Sequence, residues 1–143
     1  MKNDPKRKIY TEILKTKGYK LTAPRLLVLD VFLQNRKPLN ADFVYEKVRT
    51  KKTDRVTVYR TLKIFESARV IHQVNLKKDS VFFELTKDHH HHIVCLECGL
   101  IEDFDACTID QLAKNVISKS PYFSSIDHHS LELFAICKKC NKG

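Results

Sequence analysis

A chain of 143 residues with 43% hydrophobic and 30% charged side chains has the balance of a globular protein, folded as one ordinary domain or two small ones, rather than of a disordered chain. No run approaches the roughly 18 to 20 apolar residues that span a bilayer, and the opening MKNDPKRKIY lacks the apolar stretch of a secretory signal, so the expected location is cytoplasmic, with no membrane partner. Five cysteines kept reduced there are expected to serve metal binding or redox chemistry rather than structural disulfides.

The charge is unevenly spread. Residues 1–78 hold 20 Lys and Arg against 7 Asp and Glu, a net +13; residues 79–143 hold 6 against 10, a net −4, with six of the seven His and all five Cys. A basic module suits a polyanion such as nucleic acid, and an acidic one rich in His and Cys suits cations.

From Thr22 the chain reads TAPRLLVLDVFLQ: a residue able to cap, a proline where the first helical turn tolerates it, then a dense apolar stretch that predicts a buried helix. LNADFVYEKVRTK predicts a second, with Asn40 as cap, Asp42 at the positive helix start, and Phe43, Val44 and Val48 at helical spacing. In TDRVTVYRTLKIFESA, Val58, Leu62 and Phe65 recur at i, i+4 and i+7 as a buried stripe, leaving an aromatic and basic outward face. RVIHQVNL and SVFFEL, separated by the turn-prone KKDS, predict a hairpin.

Three helices and a hairpin in that order form a winged helix-turn-helix. In such a module the third helix enters the DNA major groove and the wing meets the backbone, which makes Arg55, Thr57, Tyr59, Arg60, Lys63 and the wing residues Lys77 and Lys78 the expected DNA contacts.

The second half opens on HHHHIVCLEC. Cys95 and Cys98 form one Cys-x-x-Cys, and Cys137 and Cys140 form another; two such knuckles supply the four thiolates of a tetrahedral structural zinc site. Cys107 has no partner at useful spacing and is expected to be a small, part-buried side chain. If the four histidines lie in extended chain their side chains alternate, so His89 and His91 face one way and His90 and His92 the other, each pair able to begin a different site. Glu84, Asp103, Asp110 and His128-His129 are further donors.

TIDQLAKNVISK predicts a helix packed on a sheet, with Thr108 and Gln111 as a capping box and an apolar face of Ile109, Leu112, Ala113, Val116 and Ile117. HSLELFAIC alternates as a strand. The expected class is therefore mainly α plus α+β: an N-terminal winged helix-turn-helix domain over 1–85, then a small α/β domain over 86–143 suited to dimerisation.

The stretches LTAPR, VTVYRTLKIFESA, FFEL, HHHHIVCLECG, IEDF, HHSLELFAIC and CKKC, in this order and spacing, resemble the ferric uptake regulator family over nearly the whole chain. The family includes iron-, zinc-, manganese- and peroxide-sensing repressors. The resemblance implies a homodimer that binds palindromic double-stranded operator DNA once loaded with its sensed metal, carrying structural Zn2+ and regulatory Fe2+, Zn2+ or Mn2+. It assigns Cys95, Cys98, Cys137 and Cys140 to the structural zinc, and Glu84, His90 and His92 to a sensing site between the domains. It also implies a third site of His89, His91, Asp110 and His129, and Asp103 matches an acidic position that some members use as a ligand.

Three departures stand out. RKPLN holds no His where iron and peroxide sensors have one, whereas His72 occupies the position that zinc sensors use, and His91 stands where most iron sensors have Asp; these lean toward zinc without deciding between the zinc and iron branches. Arg69 replaces a helix-ending glycine, so a different cap is expected there. An alternative class, a metallohydrolase using its His and carboxylates to activate water, leaves the basic half unexplained, and the chain has no H-E-x-x-H pair.

Overall fold

The computed structural model describes residues 4–86, 90–105, 108–127 and 129–141. The chain divides into two compact units, Met1–Asp88 and His89–Gly143. Among the described residues no helix is long and apolar enough to cross a membrane.

The first unit contains α1 (Pro5–Thr16), α2 (Ala23–Gln34), β1 (Leu39–Asn40), α3 (Ala41–Val48), a 3-10 turn (Arg49–Lys51), α4 (Arg55–Ser67), β2 (Ile71–Val74) and β3 (Phe82–Leu85). The strands form one sheet in the order β1-β3-β2, with β2 and β3 antiparallel. Helix α2 is densely apolar and buries Val28, Leu29, Val31 and Phe32, so the other helices gather on it. From α4 the core takes Val58, Leu62 and Phe65, the stripe expected from spacing, together with Thr61.

Helix α1 is an addition to the three helices expected. Its signals are short but legible: Asp4 caps Lys6 N at 2.9 Å, Pro5 occupies the first turn, and Tyr10 and Leu14 bury one face at i and i+4. A half-buried ion pair, Arg7 Nε to Asp30 Oδ1 at 2.6 Å, fastens it to α2.

The expected caps fare differently. Asn40 Oδ1 accepts from Phe43 N at 2.9 Å, but Thr22 makes no side-chain cap bond. Asp54 caps α4 by accepting from Thr57 N at 2.6 Å, and the Thr57 backbone and hydroxyl donors hold its carboxyl below the usual carboxylate range.

The end of α4 corrects an expectation. Arg69 N donates to Glu66 O at 2.9 Å and Val70 N to Phe65 O at 2.8 Å, with Arg69 at φ 58°, the Schellman arrangement usually closed by glycine. The end of α1 makes the same pair of bonds around Gly18 at φ 81°. The cap is thus the ordinary one, built with a side chain that pays a left-handed backbone penalty. Arg69→Gly is expected to raise the stability of this unit by about 0.5–1 kcal/mol, the left-handed cost less the greater unfolded freedom of glycine. Thermal unfolding checks it, and an equal or lower midpoint would show that the Arg69 side chain contributes more than its backbone costs.

The second unit contains β4 (His91–Cys95), β5 (Ile101–Phe104), α5 (Ile109–Lys119) and β6 (Glu132–Ala135). The sheet order is β5-β4-β6, antiparallel on the β5 side and parallel on the β6 side. Here the expected helix packed on a sheet is not found. No described residue of α5 is buried, and Leu112 and Val116 of its apolar face are 60% and 52% exposed. Thr108 makes no side-chain cap bond, so the capping box does not form either. Beyond β4's Val94 and Cys95, no apolar residue described in this unit is fully buried.

Candidate metal centres and nucleic-acid interface

On α4 the exposed positions Val56, Tyr59, Arg60 and Lys63 fall at helical spacing and form a single outward face opposite the buried stripe. Tyr59, Arg60 and Lys63 are as expected. Thr57 is half-buried, and its backbone N–H donates to the Asp54 cap. Val56, 58% exposed, went unnoticed because an apolar residue reads as core by type, and only its phase relative to Val58, Leu62 and Phe65 reveals that it faces outward. Arg55 is also exposed and donates to Asp42 of α3. Lys77 sits in the loop joining β2 to β3 in a left-handed conformation, its N–H on Asn75 Oδ1 at 3.0 Å, and Lys78 lies 5.6 Å from the centre of the Phe82 ring.

The same hairpin carries two metal donors. His72 and Glu84 are direct partners across β2 and β3, so their side chains share a face, and His72 Nε2 stands 2.9 Å from Glu84 Oε1. Glu84 is only 5% exposed, and a carboxylate so placed needs a cation or strong donors around it.

In the second unit the histidines alternate as an extended chain requires. The rings of His90 and His92 lie edge to face with centroids 4.9 Å apart, and His92 Nε2 is 3.7 Å from Oδ1 of its cross-strand partner Asp103. His91 is on the opposite face, 5.6 Å from the His129 ring and 5.4 Å from that of Phe104. Asp110, on the first turn of α5, forms no three-donor group with His91 and His129 among the described residues; His89, His128 and Cys107 lie outside them.

The four remaining cysteines do come together. Each offers a sulfur within 4.8 Å of the other three, and Cys98 Sγ lies 3.7 Å from Cys137 Sγ. A tetrahedral ion with metal–sulfur bonds of about 2.3 Å sets its sulfurs about 3.8 Å apart, so the donor type, number and spacing fit zinc. Two turns build the cradle. Gly99 N donates to Cys95 O at 2.9 Å after β4, and Cys140 N to Cys137 O at 3.0 Å after β6. Leu96 N to Ala135 O at 2.8 Å joins the two strands beside them.

Electrostatics separates the thiols. Backbone N–H groups of Cys98 and Cys137, the latter 3.3 Å from the sulfur, hold the Cys95 thiol down to about 6, as suits a thiolate ligand. Hydrogen bonds with the Cys137 and Cys98 sulfurs push Cys140 up to about 12.

A basic winged helix bearing metal donors on its wing, in one chain with a four-cysteine centre and paired histidines, defines a metal-responsive DNA-binding regulator. The profile of the ferric uptake regulator family matches residues 16–134. The ferric uptake regulation protein of Legionella pneumophila is 37% identical over 131 residues, covering 89% of this chain and 95% of that one. Among solved structures, the ferric uptake regulator of Francisella tularensis with iron shares 35% identity at a TM-score of 0.66, covering 86% and 95% of the two chains. The Helicobacter pylori regulator, described as having three functional metal binding sites, shares 27% at 0.72, covering 96% and 93%. The chain belongs to the ferric uptake regulator family and is one of its metal-responsive transcriptional regulators.

Proposed function

We propose that this chain is a cytoplasmic, homodimeric repressor of metal uptake and homeostasis genes, which recognises a palindromic operator when its regulatory metal is bound. In this reading residues 1–85 are the DNA-binding domain and residues 86–143 the metal-binding dimerisation domain, and the chain is not an enzyme. The observation that carries it is the His72–Glu84 pair: two metal donors stand on the wing of the DNA-binding unit itself, 2.9 Å apart.

Cys95, Cys98, Cys137 and Cys140 hold structural zinc. His72, Glu84, His90 and His92 make the sensing site, with Asp103 beside His92. His89, His91, Asp110 and His129 make the third site; the close approach of His91 and His129 supports half of that set. When bound, a divalent cation supplies a positive centre that imidazoles and carboxylate share. His72 and Glu84 belong to neighbouring wing strands, so holding them fixes the wing, and with it the spacing of two recognition helices across a dimer. Homodimerisation is supported by α5, whose apolar face is only partly covered, with Leu112 and Val116 left exposed.

Three imidazoles and a carboxylate suit Zn2+, Fe2+ or Mn2+. The deciding experiment titrates zinc-replete protein with each metal at buffered free concentration while measuring affinity for the DNA upstream of its own gene. One metal is expected to raise affinity about a hundredfold within its cellular range, and the tightened binding should weaken steeply with salt. An affinity indifferent to all three metals would refute the sensing assignment.

A further inference from the structure

We propose that Asp42 and Tyr45 of α3 are positioning residues that hold the guanidinium of Arg55 in the plane needed to read a guanine edge. The inference rests on the reading of α4 as the recognition helix and goes beyond it by naming residues of a neighbouring helix.

Arg55 is the first residue of α4, and the N-terminal residues of a recognition helix are the ones that meet base edges. Its guanidinium is held from α3. Nη1 donates to Asp42 Oδ1, and the guanidinium carbon lies 4.6 Å from the centre of the Tyr45 ring. Asp42 and Arg55 are both more than half exposed. An exposed pair of this kind stabilises a fold little, while ordering an arginine costs much of its rotamer freedom, so stability does not account for two contacts on one side chain.

What the contacts do fix is orientation. A phosphate accepts a positive charge from many directions, whereas the O6 and N7 acceptors of guanine ask for two parallel donors in one plane. The guanidinium has five N–H donors, so the Asp42 contact leaves the fork geometry available. Asp42 also sets a negative charge beside the surface that approaches phosphates. It therefore lowers affinity for DNA in general while sharpening preference for one base pair, and these opposed effects distinguish positioning from simple attraction.

The test uses full-length, metal-loaded protein and a duplex selected by the wild type from a random library, compared with each single base-pair variant of that duplex and with an unrelated duplex. Wild type is expected to discriminate about tenfold or more at one G·C pair, and 7-deazaguanine there, lacking N7, should reproduce most of that loss. In Asp42→Asn, Arg55→Lys and Arg55→Ala the preference at this pair should fall to about threefold or less. Other positions should keep theirs, and Asp42→Asn should bind the unrelated duplex as well as wild type or better. Tyr45→Phe, which keeps the ring, should retain the preference, and Tyr45→Ala should weaken it. Asp42→Asn with discrimination intact at every position would overturn the proposal. So would a uniform loss across all duplexes, which would mark Arg55 as a phosphate contact. A wild type that selects no duplex would instead refute the recognition-helix reading itself.

Discussion

Cys95→Ser is expected to abolish zinc binding at the four-cysteine centre and to unfold the second unit while the first stays folded. Zinc sites of this kind contribute on the order of 10 kcal/mol at neutral pH, because the ligands come together only in the folded state. The second unit has little to set against that loss. Most of its described apolar side chains are only partly buried or exposed, and Cys95 is itself one of the two that are fully buried. The first unit has its own core, from Tyr10 and Leu14 through Phe65 to Leu85. Metal analysis with hydrogen exchange separates the outcomes: fast exchange confined to β4, β5 and β6, with α2 and α4 still protected, is the result expected. A stable, zinc-free dimer with a protected β4 would contradict the structural role.

The second large effect concerns regulation. Replacing both His90 and His92 with alanine is expected to abolish the metal-dependent gain in operator affinity, on the order of a hundredfold or about 2.7 kcal/mol of coupling, and to leave zinc at the cysteine centre. The pair is suited to this role by geometry: the two rings lie 4.9 Å apart, while His91 faces away toward His129. Affinity measured with and without metal, alongside zinc content and thermal unfolding, distinguishes lost sensing from lost fold. Because His92 is almost fully buried, the single variant His90→Ala serves as the milder probe and should show the same direction of change. An unchanged metal response in the double variant would remove both histidines from the sensing site.

The parts legible in the sequence are those governed by local periodicity or fixed spacing. Val58, Leu62 and Phe65 face the core because helical phase dictates it, and the two Cys-x-x-Cys pairs converge because only a tight turn suits that spacing. The histidine alternation followed from strand geometry alone. What escaped was decided by competition between residues or by partners outside the local stretch. Helix α1 hid in a lysine-rich opening whose core-facing apolar residues are few, Tyr10 and Leu14 with Ile13 partly buried. Arg69 seemed to forbid a left-handed cap, yet two backbone hydrogen bonds outweigh its penalty. The amphipathic pattern of α5 correctly marks a face that wants burial, and pattern alone cannot say whether the cover comes from the same chain.

That last feature has a consequence for the life of the molecule in the cell. If a second copy of the chain covers α5, as proposed, a chain presenting Leu112 and Val116 to solvent is expected to be exposed to chaperones and proteases until it pairs. Its survival then scales with its own concentration and with zinc supply, since folding of the second unit, metal acquisition and pairing draw on the same equilibrium. Regulator abundance is then expected to fall when zinc is scarce, before any DNA is bound.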